Sequence, residues 1–202
     1  KNNNNYYGPF SESVIGMLSL LNTKESEKIL NEFLLLSNID VKQIAAIALL
    51  KNNNKVPALE INKISADKYS RVYFYNQLKK IDKPNTFPSK WFSQKSFAEG
   101  YLYNYIRDED EMAEPLSIQY ITEKIATQKG KQYRYLLFKA IFDFDGNKES
   151  HLAICGPFNI DKSKADINED EKRIQIFYDE KFLSAGMDTS FKTYLKNSLQ
   201  NE

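Results

Sequence analysis

The stretch that decides the fold is residues 116–155, LSIQYITEKIATQKGKQYRYLLFKAIFDFDGNKESHLAIC. Its apolar and aromatic residues tend to recur at every second position, the period of a strand whose two faces differ. From Leu116 to Thr127, Ile118, Tyr120 and Thr122 alternate with Gln119, Ile121, Glu123 and Ile125. Lys129-Gly130 supplies a turn, and Tyr133 to Phe144 is a long aromatic-rich run of β type. Asp145-Gly146-Asn147 turns the chain again, Ser150 to Cys155 returns, and Gly156-Pro157 ends that strand. Strands joined by loops this short form an antiparallel meander, because parallel neighbours need long crossovers. Arg173 to Tyr178 (RIQIFY) is a fourth strand candidate. Asp188 to Leu199 reads as an amphipathic helix with Phe191, Tyr194, Leu195 and Leu199 inward. The expected fold is therefore α+β, with a four- or five-stranded antiparallel sheet covered by a C-terminal helix.

Upstream the rhythm changes to every third or fourth residue. Val14, Ile15, Leu18 and Leu21 mark a first helix, its face widened by Met17 and Leu20. Ile29, Phe33, Leu34 and Leu36 mark a second, after an opening at Thr23 to Glu27 with capping character. Asp40 is expected to cap a third through Val41, Ile44, Ala45, Ile47, Ala48 and Leu50, ended by Asn52 to Asn54. Pro57 suits the first turn of a fourth. Asp67 is placed as the cap of a fifth, with Val72, Tyr75 and Leu78 inward and Lys79 and Lys80 near its C-terminus.

These helices align with one another. A shift of 29 sets Ile15-Gly16-Met17-Leu18-Ser19-Leu20-Leu21 over Ile44-Ala45-Ala46-Ile47-Ala48-Leu49-Leu50, with small residues meeting at 16/45 and 19/48. A shift of 28 sets Val72, Tyr75 and Leu78 over Ile44, Ile47 and Leu50. Small residues at fixed places let a neighbouring helix approach closely. On these residues, and on the run VKQIAAIALLKNN at 41–53, residues 11–82 resemble α-helical repeats of the HEAT or armadillo type. The resemblance implies stacked helical hairpins that present a binding surface.

Between these regions, Lys83 to Phe92 carries two prolines and the sole Trp of the chain and reads as an ordered connection. Phe97 to Ile106 fits a strand through Tyr101, Tyr103 and Tyr105 and fits a helix through Phe97, Tyr101 and Tyr105 almost as well; both stay open. Arg107 to Glu114 is an acidic loop, and Ile160 to Lys172 a polar excursion. The expected organisation is a linker at 1–9, a helical region at 10–85 and an α+β region at 86–202.

Composition bounds the chemistry. The 202 residues carry 28 Lys and Arg against 27 Asp and Glu, a formal net charge of +1, with one Cys and one His. A site built from several His and Cys residues is ruled out by those counts, and no stretch approaches the ~20 apolar residues of a membrane span. The chain starts at Lys1 without a signal-peptide pattern. The Asn-rich opening reads as a join to further domains, or a leader has been removed; Lys, Asn, Ile and Tyr usage points to a bacterial source, an exported one included.

The motifs GxGxxG, GxxxxGK[ST] and GxSxG do not occur. His151 and Cys155, four residues apart on one strand face, would sit about 13 Å from each other and form no dyad. Asp143, Asp145, Asn147 and Glu149 offer oxygens at alternate positions as a Ca²⁺ candidate. An EF-hand loop needs Gly at its sixth position and Glu at its twelfth, whereas here Gly146 falls fourth and Ile154 twelfth, so a solvated turn is the simpler expectation. Lys131, Tyr133, Arg134, Tyr135, Phe138 and Lys139 interleave bases and aromatics as nucleic-acid-binding sheets do. The balanced charge argues against that partner.

Tyr101, Tyr103, Tyr105, Tyr133 and Tyr135 remain as the candidate interaction surface, Tyr being enriched where proteins meet. No catalytic residue or cofactor is expected. The functional expectation is a non-catalytic module, part of a larger protein, that binds a protein or peptide. An enzyme with carboxylates converging in a cleft, and a sheet that binds a small ligand or lipid, are the alternatives.

Overall fold

The computed structural model describes residues 8–108, 114–128, 130–165, 173–179, 181–184 and 186–199. The chain divides into two compact units, Lys1–Trp91 and Phe92–Glu202.

The first unit holds five α-helices among its described residues: α1 (Gly8–Leu21), α2 (Lys24–Phe33), α3 (Ile39–Lys51), α4 (Ala58–Ala66) and α5 (Ser70–Lys80). Helix α3 packs against each of the other four. Its alanines let them come close, and Val41, Ala45, Ala46, Ala48, Leu49 and Leu50 are buried on several sides of it. Thr23 and Ser26 cap α2 reciprocally, as their spacing foretells. Asn38, not Asp40, caps α3: its Oδ1 accepts from the backbone N–H of Asp40 and Val41, which leaves Asp40 in the first turn. Asp67 Oδ1 accepts from Tyr69 and Ser70 at the start of α5. The expected inward face of α1 is corrected too, since Met17, Leu20 and Leu21 are exposed while Ile15 is buried.

Helices α1, α3 and α5 stop in the same way. Asn22 (φ 46), Asn53 (φ 62) and Asp82 (φ 58) take the left-handed conformation just past their ends. Short polar side chains tolerate that region better than most. The Asn54 N–H returns to the Leu49 carbonyl and the Lys83 N–H to that of Leu78. Asn52 Nδ2 donates to the Ser19 carbonyl, and Lys83 Nζ to Asn53 Oδ1, each at 2.8 Å. The three stops are thus tied side by side.

The second unit contains α6 (Gln94–Asp108), a sheet of β1 (Ser117–Gln128), β2 (Lys131–Phe144), β3 (Asn147–Asn159) and β4 (Arg173–Phe177), then α7 (Lys181–Ser184) and α8 (Met187–Leu199). The sheet is four-stranded and antiparallel in the order β1-β2-β3-β4. Helix α8 covers one face: Tyr135, Leu137, Leu152, Ile154 and Phe177 form one core with Phe191 and Tyr194. Helix α6 packs against β3 and β4.

Two irregularities shape the sheet. Tyr120 pairs with Phe138 but Thr122 pairs with Leu137, so Ile121 is an extra residue in β1, a β-bulge. Opposite Tyr135, β3 carries Gly156 and Pro157 where one residue would suffice, and the strand continues through them to Asn159 instead of ending there. The segment left open between strand and helix is helix α6. Phe97, Ala98, Tyr101, Leu102, Tyr103 and Ile106 are all buried, and a helix buried on several sides shows no clear period in its sequence. No helix among the described residues is long and apolar enough to cross a membrane.

Candidate functional site

The residue-level features begin with the bulge at Ile121. In a regular strand Tyr120 and Glu123 would point to opposite faces. The extra residue resets the alternation, so that Tyr120 faces with Phe138 and Glu123 with Leu136, both on the side of Arg134. Lys124 correspondingly turns to the other face, where it pairs with Asp188 of α8 and holds that carboxyl below its usual range.

Tyr120, Glu123, Arg134 and Leu136 line a cavity of about 250 Å³ together with Ser93, Gln94 and Lys95 at the start of α6 and Lys162 beyond β3. Arg134 and Gln94 are both buried. Arg134 Nη1 donates to Gln94 Oε1 at 2.6 Å and to the Asn159 carbonyl at 3.4 Å. Gln94 Nε2 lies within hydrogen-bonding reach of the carbonyls of Asn159 (2.8 Å), Asp161 (3.1 Å) and Lys164 (2.8 Å). One amide side chain thus fixes both the guanidinium and the segment after β3. Arg134 Nε is buried without a hydrogen-bond partner; Glu123 Oε2 is 3.3 Å away and also 3.8 Å from Lys162 Nζ. The Lys95 ammonium sits 4.6 Å from the centre of the Tyr120 ring, a cation–π contact. Burial and then the charge of Glu123 push the Tyr120 phenol above its usual pKa, so it stays a neutral donor. Three cations, one carboxylate and one phenol meet here.

The residues singled out from sequence lie elsewhere. Tyr101, Tyr103 and Tyr135 are buried, so they cannot form the expected interaction surface. Tyr135 packs edge-on against Tyr194, with ring centroids 5.8 Å apart, and at a tilt against Phe191. Tyr133 is half-buried against the same core, and Tyr105 is half-buried on α6. An aromatic-rich strand is as readily core as surface, and one side of this one was claimed by α8.

The Ca²⁺ candidates do not converge. Asp143 pairs across the hairpin with Lys148, and Glu149 with Phe142 on the opposite face. Asp143 Oδ1 instead accepts from the Gly146 N–H at 2.7 Å, inside a turn where Asp145 and Gly146 both have positive φ. Among the described residues no three His, Cys, Asp or Glu side chains gather as a metal site would require. The acidic loop falls at 109–113, outside the described residues apart from its flanks. His151 is buried beside Phe142 and Tyr178 with Glu149 Oε2 at 3.4 Å, and Cys155 is buried on the same strand. The sequence singles out neither Tyr120 and Glu123, because a bulge leaves no mark in an alternating run, nor Gln94 and Lys162, which only the fold brings to β1 and β2.

Comparison with family models, with curated protein sequences and with solved structures gave no match.

Proposed function

We propose that the chain is a non-catalytic interaction module that takes a protein or peptide partner, held through an acidic side chain. The make-up of the Arg134 cavity carries this proposal: three cations and a neutral phenol line it, and Gln94 holds Arg134 among them in place. Glu123 is the one carboxylate among its described lining residues and is already paired to Arg134. Acid–base hydrolysis by two carboxylates would need a second acid facing Glu123. A lipid would call for a lining without this cluster of charged side chains.

Strand β1 lies at the sheet's edge, but its bulge and the charges of Glu123 and Lys124 blunt that edge against strand addition. A partner therefore engages by side chains in the cavity, not by extending the sheet. In the first unit, the tied ends of α1, α3 and α5 and the matched small residues support a helical repeat of HEAT or armadillo type, an architecture that commonly presents partner-binding surfaces.

Titration of the full chain with capped peptides of equal length and differing charge tests the proposal by fluorescence anisotropy. Acidic peptides bind more tightly than neutral ones, and added salt weakens them, because partly exposed charges are screened beyond about 10 Å at 0.1 M. Equal affinity for acidic, neutral and basic peptides defeats it.

A further inference from the structure

We propose that the Arg134 cavity is a carboxylate receptor in which Glu123 holds the place of the ligand and is displaced by it. This deepens the interaction-module reading and rests on it, naming the anchoring group and the contact that competes with it.

A guanidinium prefers two in-plane bonds to one carboxylate. In Arg134, Nη1 is committed to Gln94 and Asn159. Nε is buried with no aligned acceptor, although Glu123 Oε2 lies 3.3 Å from it. Glu123 therefore neutralises charge without completing the bond. Its side chain is 35% exposed and has Lys162, 71% exposed, as an alternative partner at 3.8 Å. It is able to swing outward without being stranded.

Two positive charges remain once Glu123 is counted against Lys95, Arg134 and Lys162. An incoming carboxylate takes the position at Nε, with the Tyr120 hydroxyl and Lys95 at the cavity wall. Gln94 has already ordered the guanidinium, so binding does not meet that entropic cost.

The test uses the full chain and three probes: a capped pentapeptide with one central glutamate, its glutamine counterpart, and glutarate. Calorimetry gives affinity, and the Arg134 Nε–H signal in nitrogen-edited NMR reports the site. The glutamate peptide is expected to bind at least about tenfold more tightly than the glutamine peptide and to move the Arg134 signal. Glu123→Gln, which keeps shape but removes the competing charge, tightens binding about tenfold, and Lys162→Gln weakens it about threefold. Should Glu123→Gln lose its folded amide spectrum, Glu123→Ser replaces it.

Unchanged or weaker binding in the Glu123 variant overturns the receptor. A peptide that binds while the Arg134 signal stays still overturns the receptor but leaves the interaction module standing. Glutarate binding as tightly as the glutamate peptide keeps the receptor and transfers its ligand to a free small carboxylate, which overturns the peptide partner.

Discussion

The ammonium of Lys42 sits inside the helical unit, donating to the Leu34 carbonyl just past the end of α2 and to Glu60 Oε2 at 2.8 Å. Lys63 takes the other oxygen of Glu60 at 2.7 Å. The Lys42 ammonium thereby ties α3 to the end of α2 and to α4, and its partner carboxylate Glu60 is itself largely buried. The hydrogen bonds from Lys42 and Lys63 hold the Glu60 carboxyl below its ordinary value of 4.5, against the opposing effect of burial. Because the folded state prefers the ionised form, this contribution to stability is fully present above pH 4.5. It is lost as pH falls through the lower folded value. Glu60→Gln is expected to cost about 1.5–3 kcal/mol at neutral pH, the range for a hydrogen bond to a charged group. Its denaturant midpoint should also lose part of the acid dependence seen in the wild type. A variant as stable as wild type, or equally acid-sensitive, shows that the carboxylate does not hold these helices.

At the scale of elements, the two bulges do different work. The one at Ile121 re-aims Glu123; the one at Gly156-Pro157 makes room for a ring. A β-carbon added to Gly156 would lie 2.6 Å from Cδ1 of Tyr135 and 3.0 Å from the Arg134 carbonyl oxygen. Tyr135 is wedged against Phe191 and Tyr194 and cannot retreat. Gly156→Ala therefore forces β2 or α8 to shift, at about 1–3 kcal/mol for overpacking a filled core, measured by urea unfolding. A neutral substitution means that the ring moves freely. The fit also explains why a Gly-Pro pair, which reads as a strand terminator, lies inside β3: the ladder to β2 resumes at Phe158, opposite Arg134.

For the whole molecule, each unit has its own buried core. Ile15, Leu30, Leu49, Ile64 and Phe74 belong to the first, and the Tyr135 cluster to the second. Trp91 lies in the first unit with the cations of Arg71 and Lys90 at 4.9 and 4.8 Å from its ring centre. Its fluorescence thus reports that unit, while near-ultraviolet dichroism of Tyr135 and Tyr194 weights the other. Gly156→Ala is expected to lower the midpoint seen by tyrosine dichroism and leave the Trp91 midpoint in place; equal displacement of both shows one cooperative unit. Much of this plan was legible in the residues. Apolar spacing of three or four before Trp91 and of two after Pro115 fixed helices, strands and the antiparallel meander, because secondary-structure period is a local property of the chain. The capping opening at Thr23 and the helix end at Asn52 to Asn54 were equally local. Tertiary packing decided the rest: that Tyr101 and Tyr135 are core, that 97–106 is a helix, and that Glu123 shares a face with Tyr120 and Arg134. Each depends on a partner distant in sequence, α8 for Tyr135 and β2 for the bulge. Strand alternation specifies two faces but not which one another element will cover, nor where the count slips by one.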